Sequence, residues 1–219
     1  MMRGGSTLRG GLLVLALMAG PALPARAEIV DRIVATVDRQ VITQSEVEES
    51  WRIERLLNQD ALEPLSAEQA KQVTERLVTQ ALLELEMRTS RFPRAPRSEI
   101  DQRILDVQER YGGPDKFQET LDRYGLEAEA VRRRFEQIAN IERFIDLRLR
   151  PMVSVDDAAI ESYYQEQLLP RLKAQHGQDV PSLLQVRDQI EEVLRQRRIT
   201  EELASWLKDL RTQSDVRFR

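Results

Sequence analysis

The 219-residue chain contains no cysteine and one histidine, and only 5% of its residues are aromatic. Without cysteine there is no disulfide, no thiol nucleophile, no thiolate metal site and no lipid anchor on sulfur. The single histidine, His176, stands in a polar stretch beside Gly177. It makes neither a usual zinc site nor a relay on its own and reads as a surface residue. No glycine-rich loop follows a strand, and "YGGP" at 111–114 is a turn rather than a phosphate cradle. Accordingly no catalytic residue, metal ligand or cofactor is assigned. With 37 acidic against 33 basic residues the chain has no general attraction to nucleic acid.

Long apolar runs are also missing. "GLLVLALMAG", residues 11–20, is about ten residues long, too short to span a bilayer. It follows Arg3 and Arg9 and precedes "PALPARA", whose Ala25 and Ala27 suit signal peptidase. Residues 1–27 therefore read as a secretory leader cleaved after Ala27, which implies export to the periplasm and no stable membrane insertion. Losing the leader removes three arginines and no acid, so the remainder is more acidic still.

What is present is helical. "IVDRIVATV", "DRQ" and "VIT" read as strand, turn and strand. Thr43 or Ser45 then caps a helix that runs to about Asp60. Ser66 and Gln69 have capping-box spacing and open a helix from about 66 to 89, apolar nearly all round in its second half and so expected at the centre. "SRFPRAPRS" breaks it at two prolines, and Ser98 is the expected cap of the next helix. Pro114 opens a short helix that Gly125 closes in the left-handed region. Val131, Phe135, Ile138, Ile141, Ile145 and Leu149 define the stripe of an amphipathic helix ending at Pro151. Asp156 and Asp157 are capping acids for a helix to about Leu169. After a polar link at 171–181, a helix of about 30 residues, roughly 45 Å long, leads to "VRF". A lone hairpin is marginal in water, so "VRF" is expected to join it as a third strand. Arginines 132, 133, 134, 143 and 148 sit among acids and read as a solvated, ion-paired face. Of Tyr163 and Tyr164, one is expected to pack inward.

In this order the segments resemble SurA-type periplasmic chaperones. The resemblance is carried by "VDRIVATVDRQVITQSEVE", by "LLELEMRTS", and by "GGPDKFQETLDRYGLEAEAVRRRF" with Leu121, Gly125, Leu126, Glu129, Val131 and Arg132. "VSVDDAAIESYYQE" and the closing "PSLLQVRDQIEEVLRQRRITEELASWLKDLRTQSDVRF" extend it, so it covers essentially residues 28–219. It implies a mainly α fold, a SurA N-terminal-like domain with a small sheet made by an N-terminal hairpin and a C-terminal strand. That domain would comprise residues 28–170 and 181–219. Family members usually carry a parvulin prolyl isomerase domain before the last helix. Here "RLKAQHGQDVP" leaves no room for one, so the resemblance implies the chaperone part and not the isomerase.

The implied activity is that of an ATP-independent holdase with an apolar cleft for unfolded envelope or outer-membrane proteins. Burial lacks direction and so tolerates many clients, flexible methionines suit such a surface, and a strand edge adds main-chain hydrogen bonds. Met87 and Phe92, at the end of the helix that is apolar on several sides, are the candidate client-binding residues. A prolyl isomerase and a non-catalytic envelope adaptor are the rival readings. Client identity and oligomeric state are not legible.

Overall fold

The computed structural model describes residues 31–176 and 180–219, without the side chains of 175 and 176. The expected leader at 1–27 lies outside the described residues, as does the side chain of His176. Strand β1 (Ile33–Val37) and strand β2 (Gln40–Thr43) form an antiparallel hairpin, with Val37 opposite Gln40 and Thr36 opposite Val41. At the turn Asp38 takes φ 51°, in the left-handed region that an aspartate tolerates. The chain's last strand, β3 (Val216–Phe218), pairs with the other side of β1, so the order is β2-β1-β3. Asp38 clamps the two chain ends. Its backbone N–H donates to the Asp215 carbonyl at 3.0 Å, and its carboxylate accepts from the Asp215 N–H at 2.8 Å. Thus the hairpin does acquire its third strand from the far end of the sequence.

Helix α1 (Gln44–Leu57) starts at Thr43, which closes a capping box with Glu46. The alternative cap, Ser45, instead donates from its hydroxyl to Asp31, holding that carboxyl below its ordinary range. Helix α2 (Ala67–Thr89) has the Ser66–Gln69 capping box and packs on the sheet, α1, α5 and α8. Helix α3 (Arg97–Arg110) begins one residue before the expected Ser98 cap. Pro96 occupies the N-cap position and no side chain caps the helix. Helix α4 (Pro114–Tyr124) ends at Gly125, whose φ of 60° is the left-handed C-cap. A Cβ there would also come within 3.1 Å of the Arg52 guanidinium.

Helix α5 (Ala128–Leu149) departs from the expected stripe. Val131, Phe135 and Leu149 are buried, but Ile138, Ile141 and Ile145 are only half-buried, whereas Ala139 and Phe144 are buried. The helix is gripped from two sides, by α3 on one and by α2 and α8 on the other, so its apolar surface is wider than one stripe.

Helix α6 (Asp157–Tyr163) is capped by Asp156, whose carboxylate accepts from the Ala159 N–H at 2.7 Å. It widens into one π-turn over Tyr164–Leu168 and continues as α7 (Leu169–His176). The polar link expected from residue 171 is therefore helical as far as His176. The reason lies in Pro170, which lacks an N–H and whose ring crowds the carbonyl of Glu166. A wider turn there lets the helix pass without a break. Helix α8 (Leu183–Gln213) runs 31 residues and ends at β3.

Three apolar clusters result. One gathers Val37, Ile42, Trp51, Val73, Val78 and Leu82 under the sheet. A second joins Leu56, Ile100, Val107, Phe117, Leu121 and Phe135 between α1, α3, α4 and α5. The third is small: Ile160, Tyr164, Val186 and Ile190, where α8 lies on α6. Tyr164 is the inward member of its pair and donates to the Pro181 carbonyl at 2.8 Å. Tyr163 is half-buried beneath the Arg197 guanidinium.

Candidate client-binding cleft

Strand β2, α1, α2 and α5 diverge around a cleft of about 560 Å³. Its position follows from the fold. The hairpin feeds α1 directly, so β2 forms one rim, and α5 crosses behind α2 to form the other. Because β2 is an edge strand, its outer side carries no neighbouring strand among the described residues. Val41 on that rim is 42% exposed. The Gln40 side-chain oxygen, also in the lining, is buried and accepts no hydrogen bond among the described residues. An unmet buried acceptor of this kind costs about 1–3 kcal/mol.

The back of the cleft is polar. Arg134 on α5 donates to Gln80 on α2 and to Gln137 at 3.2 Å, and Gln137 donates to Glu84. Arg134 has no carboxylate oxygen within 4.0 Å among the described residues, and burial lowers its affinity for a proton. Arg133 reaches Glu49 on α1 at 3.6 Å. Against this network stand Val41, Ile42, Leu77, Ala81 and Met87. The lining is thus mixed, rather than the apolar cleft that the family resemblance implies.

Met87 lies in this lining but is only 4% exposed, so its sulfur and methyl group serve chiefly to close the floor. Phe92 is half-buried just beyond the end of the cleft. Arg94 of the lining lies over the Phe92 ring at 4.8 Å. Phe92 packs on Phe144 with ring centroids 5.3 Å apart, and Phe144 on Trp206 of α8 at 5.9 Å. The two candidate residues therefore belong to one neighbourhood but not to one surface. Val41 and Gln40 were not singled out from the sequence. The alternation of β2 and its place beside a turn are the signals that mark it as a possible edge.

Of the five arginines on α5, Arg132, Arg133 and Arg143 are ion-paired, across helices rather than along one, whereas Arg134 and Arg148 meet no carboxylate within 4.0 Å among the described residues. Arg132 meets Asp101 at 2.7 Å and Arg143 meets Glu99 at 2.7 Å, both on α3. Arg143, with help from Arg103, holds the Glu99 carboxyl below its ordinary value. A second cleft of about 660 Å³ lies on another face of α1, beside Trp51, Leu62 and Leu65. Among the described residues no helix is long and apolar enough to cross a membrane.

Comparison with known proteins gives two matches. A family model described as "SurA-like N-terminal domain" matches residues 11–145. A curated protein of Alkalilimnicola ehrlichii, "Chaperone SurA", is 30% identical over 165 residues, which cover 71% of this chain and 36% of that protein. The chain thus spans little more than a third of the length of the relative it matches.

Proposed function

The chain belongs to the SurA-like N-terminal domain family, and from that premise we propose that it is an ATP-independent holdase for unfolded envelope or outer-membrane proteins. In this reading residues 1–27 are a leader removed after Ala27, and residues 28–219 act in the periplasm as one chaperone domain without isomerase activity. The observation that carries the holdase reading is the cleft beside the free edge of β2. An extended client segment laid along β2 gains main-chain hydrogen bonds. Its apolar side chains meet Val41 and Leu77, with Met87 beneath and Phe92 at the end. Burial there yields about 25 cal/mol per Å², offset by the cost of ordering the client. The polar back wall keeps the site from collapsing on itself and holds clients loosely.

The test is light scattering from several unrelated denatured proteins, with and without the full chain. A holdase suppresses aggregation of most of them at near-stoichiometric ratio. An adaptor suppresses none and binds one partner tightly. Val41→Asp, at an exposed position, and Phe92→Ala, at a half-buried one, are expected to weaken suppression with unchanged circular dichroism. A proline-peptide isomerisation rate above background would overturn the non-enzymatic reading. Amino-terminal sequencing of the exported protein checks the cleavage after Ala27.

A further inference from the structure

From the last turn of α2, through the link, to the first residue of α3 the chain reads RTSRFPRAPR, residues 88–97, with arginine at every third position and no acid. Elsewhere arginines of the described residues commonly find carboxylates, such as Arg76 with Glu54 on α1 and Arg150 with Glu192 on α8. Arg88, Arg91, Arg94 and Arg97 have none within 4.0 Å among the described residues, and all four are exposed.

The backbone explains the arrangement. Pro96 has φ −68° and ψ 149°, in the polyproline region, where three residues make one turn. Burial follows the same period: Phe92 and Ala95 are half-buried, while 91, 93, 94, 96 and 97 are exposed. Phe92 is pinned on Phe144, and the Ala95 N–H donates to the Asn140 side chain of α5 at 2.9 Å. One face of the link is therefore fixed to the body, and Arg91 and Arg94 are exposed on the rest of it, flanked by Arg88 in the last turn of α2 and Arg97 at the start of α3. Arg148 adds a fifth unpaired guanidinium, 4.4 Å above the half-buried Trp206 ring.

A single carboxylate or phosphate engages one or two guanidiniums at close range. Arg91 and Arg97 line neither cleft. Guanidiniums set apart along a line match an array of anions. The half-buried Trp206 ring nearby is of the kind that settles at headgroup level. We propose that this face docks, without insertion, on a phospholipid surface rich in anionic headgroups. The nearby acids offset it only in part. Glu99 is committed to Arg143 and Arg103. Glu84 and Glu136 share the cleft lining with Arg88 and Arg94 and offset those two in part, while Arg91 and Arg97 lie outside it. The chain's net charge of −4 repels such a surface elsewhere, which orients the molecule with this link toward the lipid. This inference does not depend on the holdase reading.

The experiment is co-sedimentation of the full chain with vesicles of phosphatidylcholine alone and with about one quarter phosphatidylglycerol, at about 0.1 M salt, inside the range where screening is partial. Binding is expected only to the anionic vesicles and is lost at high salt. Combining Arg91→Gln, Arg94→Gln and Arg97→Gln is expected to weaken partitioning roughly 100-fold, at the usual strength of a basic residue near an anionic leaflet, with circular dichroism unchanged. The corresponding lysine triple retains binding. A control of Arg39→Gln, Lys116→Gln and Lys173→Gln makes the same charge change and retains it too. The proposal fails if neither vesicle sediments the chain, if both do equally, or if the control loses as much as the arginine triple. Binding to poly-glutamate without binding to vesicles overturns it in favour of an acidic polypeptide.

Discussion

The body built from the sheet and α1–α5 and the arm built from α6, α7 and the first half of α8 use opposite means of staying folded. The body buries two large apolar clusters on either side of α1. Leu56 and Leu121 are wholly buried, and the Tyr111 hydroxyl donates to the Leu56 carbonyl at 2.6 Å. The arm buries four residues and leaves Leu184 84% exposed. Ion pairs lie around this small core. Arg187 meets Asp157 at 2.6 Å, and Arg150 bridges α5 to Glu192. Exposed ion pairs contribute little each. The arm is then held mainly because α8 is one unbroken helix, anchored at its far end on α2, α5 and, through β3, the sheet. A region of few buried contacts is where local opening is expected.

The sharpest test of this contrast is a pair of cavities. Leu121→Ala is expected to lower the stability of the whole body by about 2–5 kcal/mol, read as the denaturant midpoint. Ile190→Ala removes a similar side chain from the arm. It is expected to move that midpoint far less, while amide exchange accelerates in α6, α7 and the start of α8 and stays slow in α1 and α5. If the two variants shift the main transition equally, the arm is no separate unit. Next in size is the cap. Asp156→Ala removes the acceptor for the Ala159 N–H and should cost about 1 kcal/mol, again visible in arm exchange. Thr43→Ala, at the equivalent point of α1, should instead appear in the global midpoint at about the same size.

Where each region was legible in the sequence follows the same contrast. The hairpin, its partner strand and the caps at Thr43, Ser66, Asp156 and Gly125 follow from residues whose roles are local. Phe144 was missed because it lies off the three-and-four stripe of α5, a position that matters only once α8 brings Trp206 against it. The α7 extension was missed because "RLKAQH" has almost no apolar period, and only its covalent continuation through the π-turn keeps it helical. The partners of Arg132 and Arg143 lie on another helix, which no spacing reveals. The cleft was legible only as a need. The resemblance implied apolar surface, whereas the approach of α5 to α2 brings Arg134 and Gln137 against Gln80 and Glu84. The arginine row at 88–97 was hidden because its period is three, while the helix and strand templates look for 3.6 and two.

The smallest expected effect concerns acid. In the body, Arg143 holds Glu99 below its ordinary value of 4.5; at the junction with the arm, Arg150 does the same to Glu192. A carboxyl whose folded value is depressed stays ionised when the unfolded chain has already taken up a proton. Its stabilisation is complete above the unfolded value and is lost as pH falls through the folded one. Lowering pH from 7 toward 3 should therefore weaken both regions, with the change concentrated below about 4.5. Because the arm has little core to fall back on, its amides should open first in that window. Glu99→Gln should flatten the acid slope of the main transition and leave arm exchange alone. Glu192→Gln should do the reverse. If Glu192→Gln flattened the main transition instead, the Arg150–Glu192 pair would be holding body and arm as one cooperative structure, and the small core of the arm would not mark a boundary.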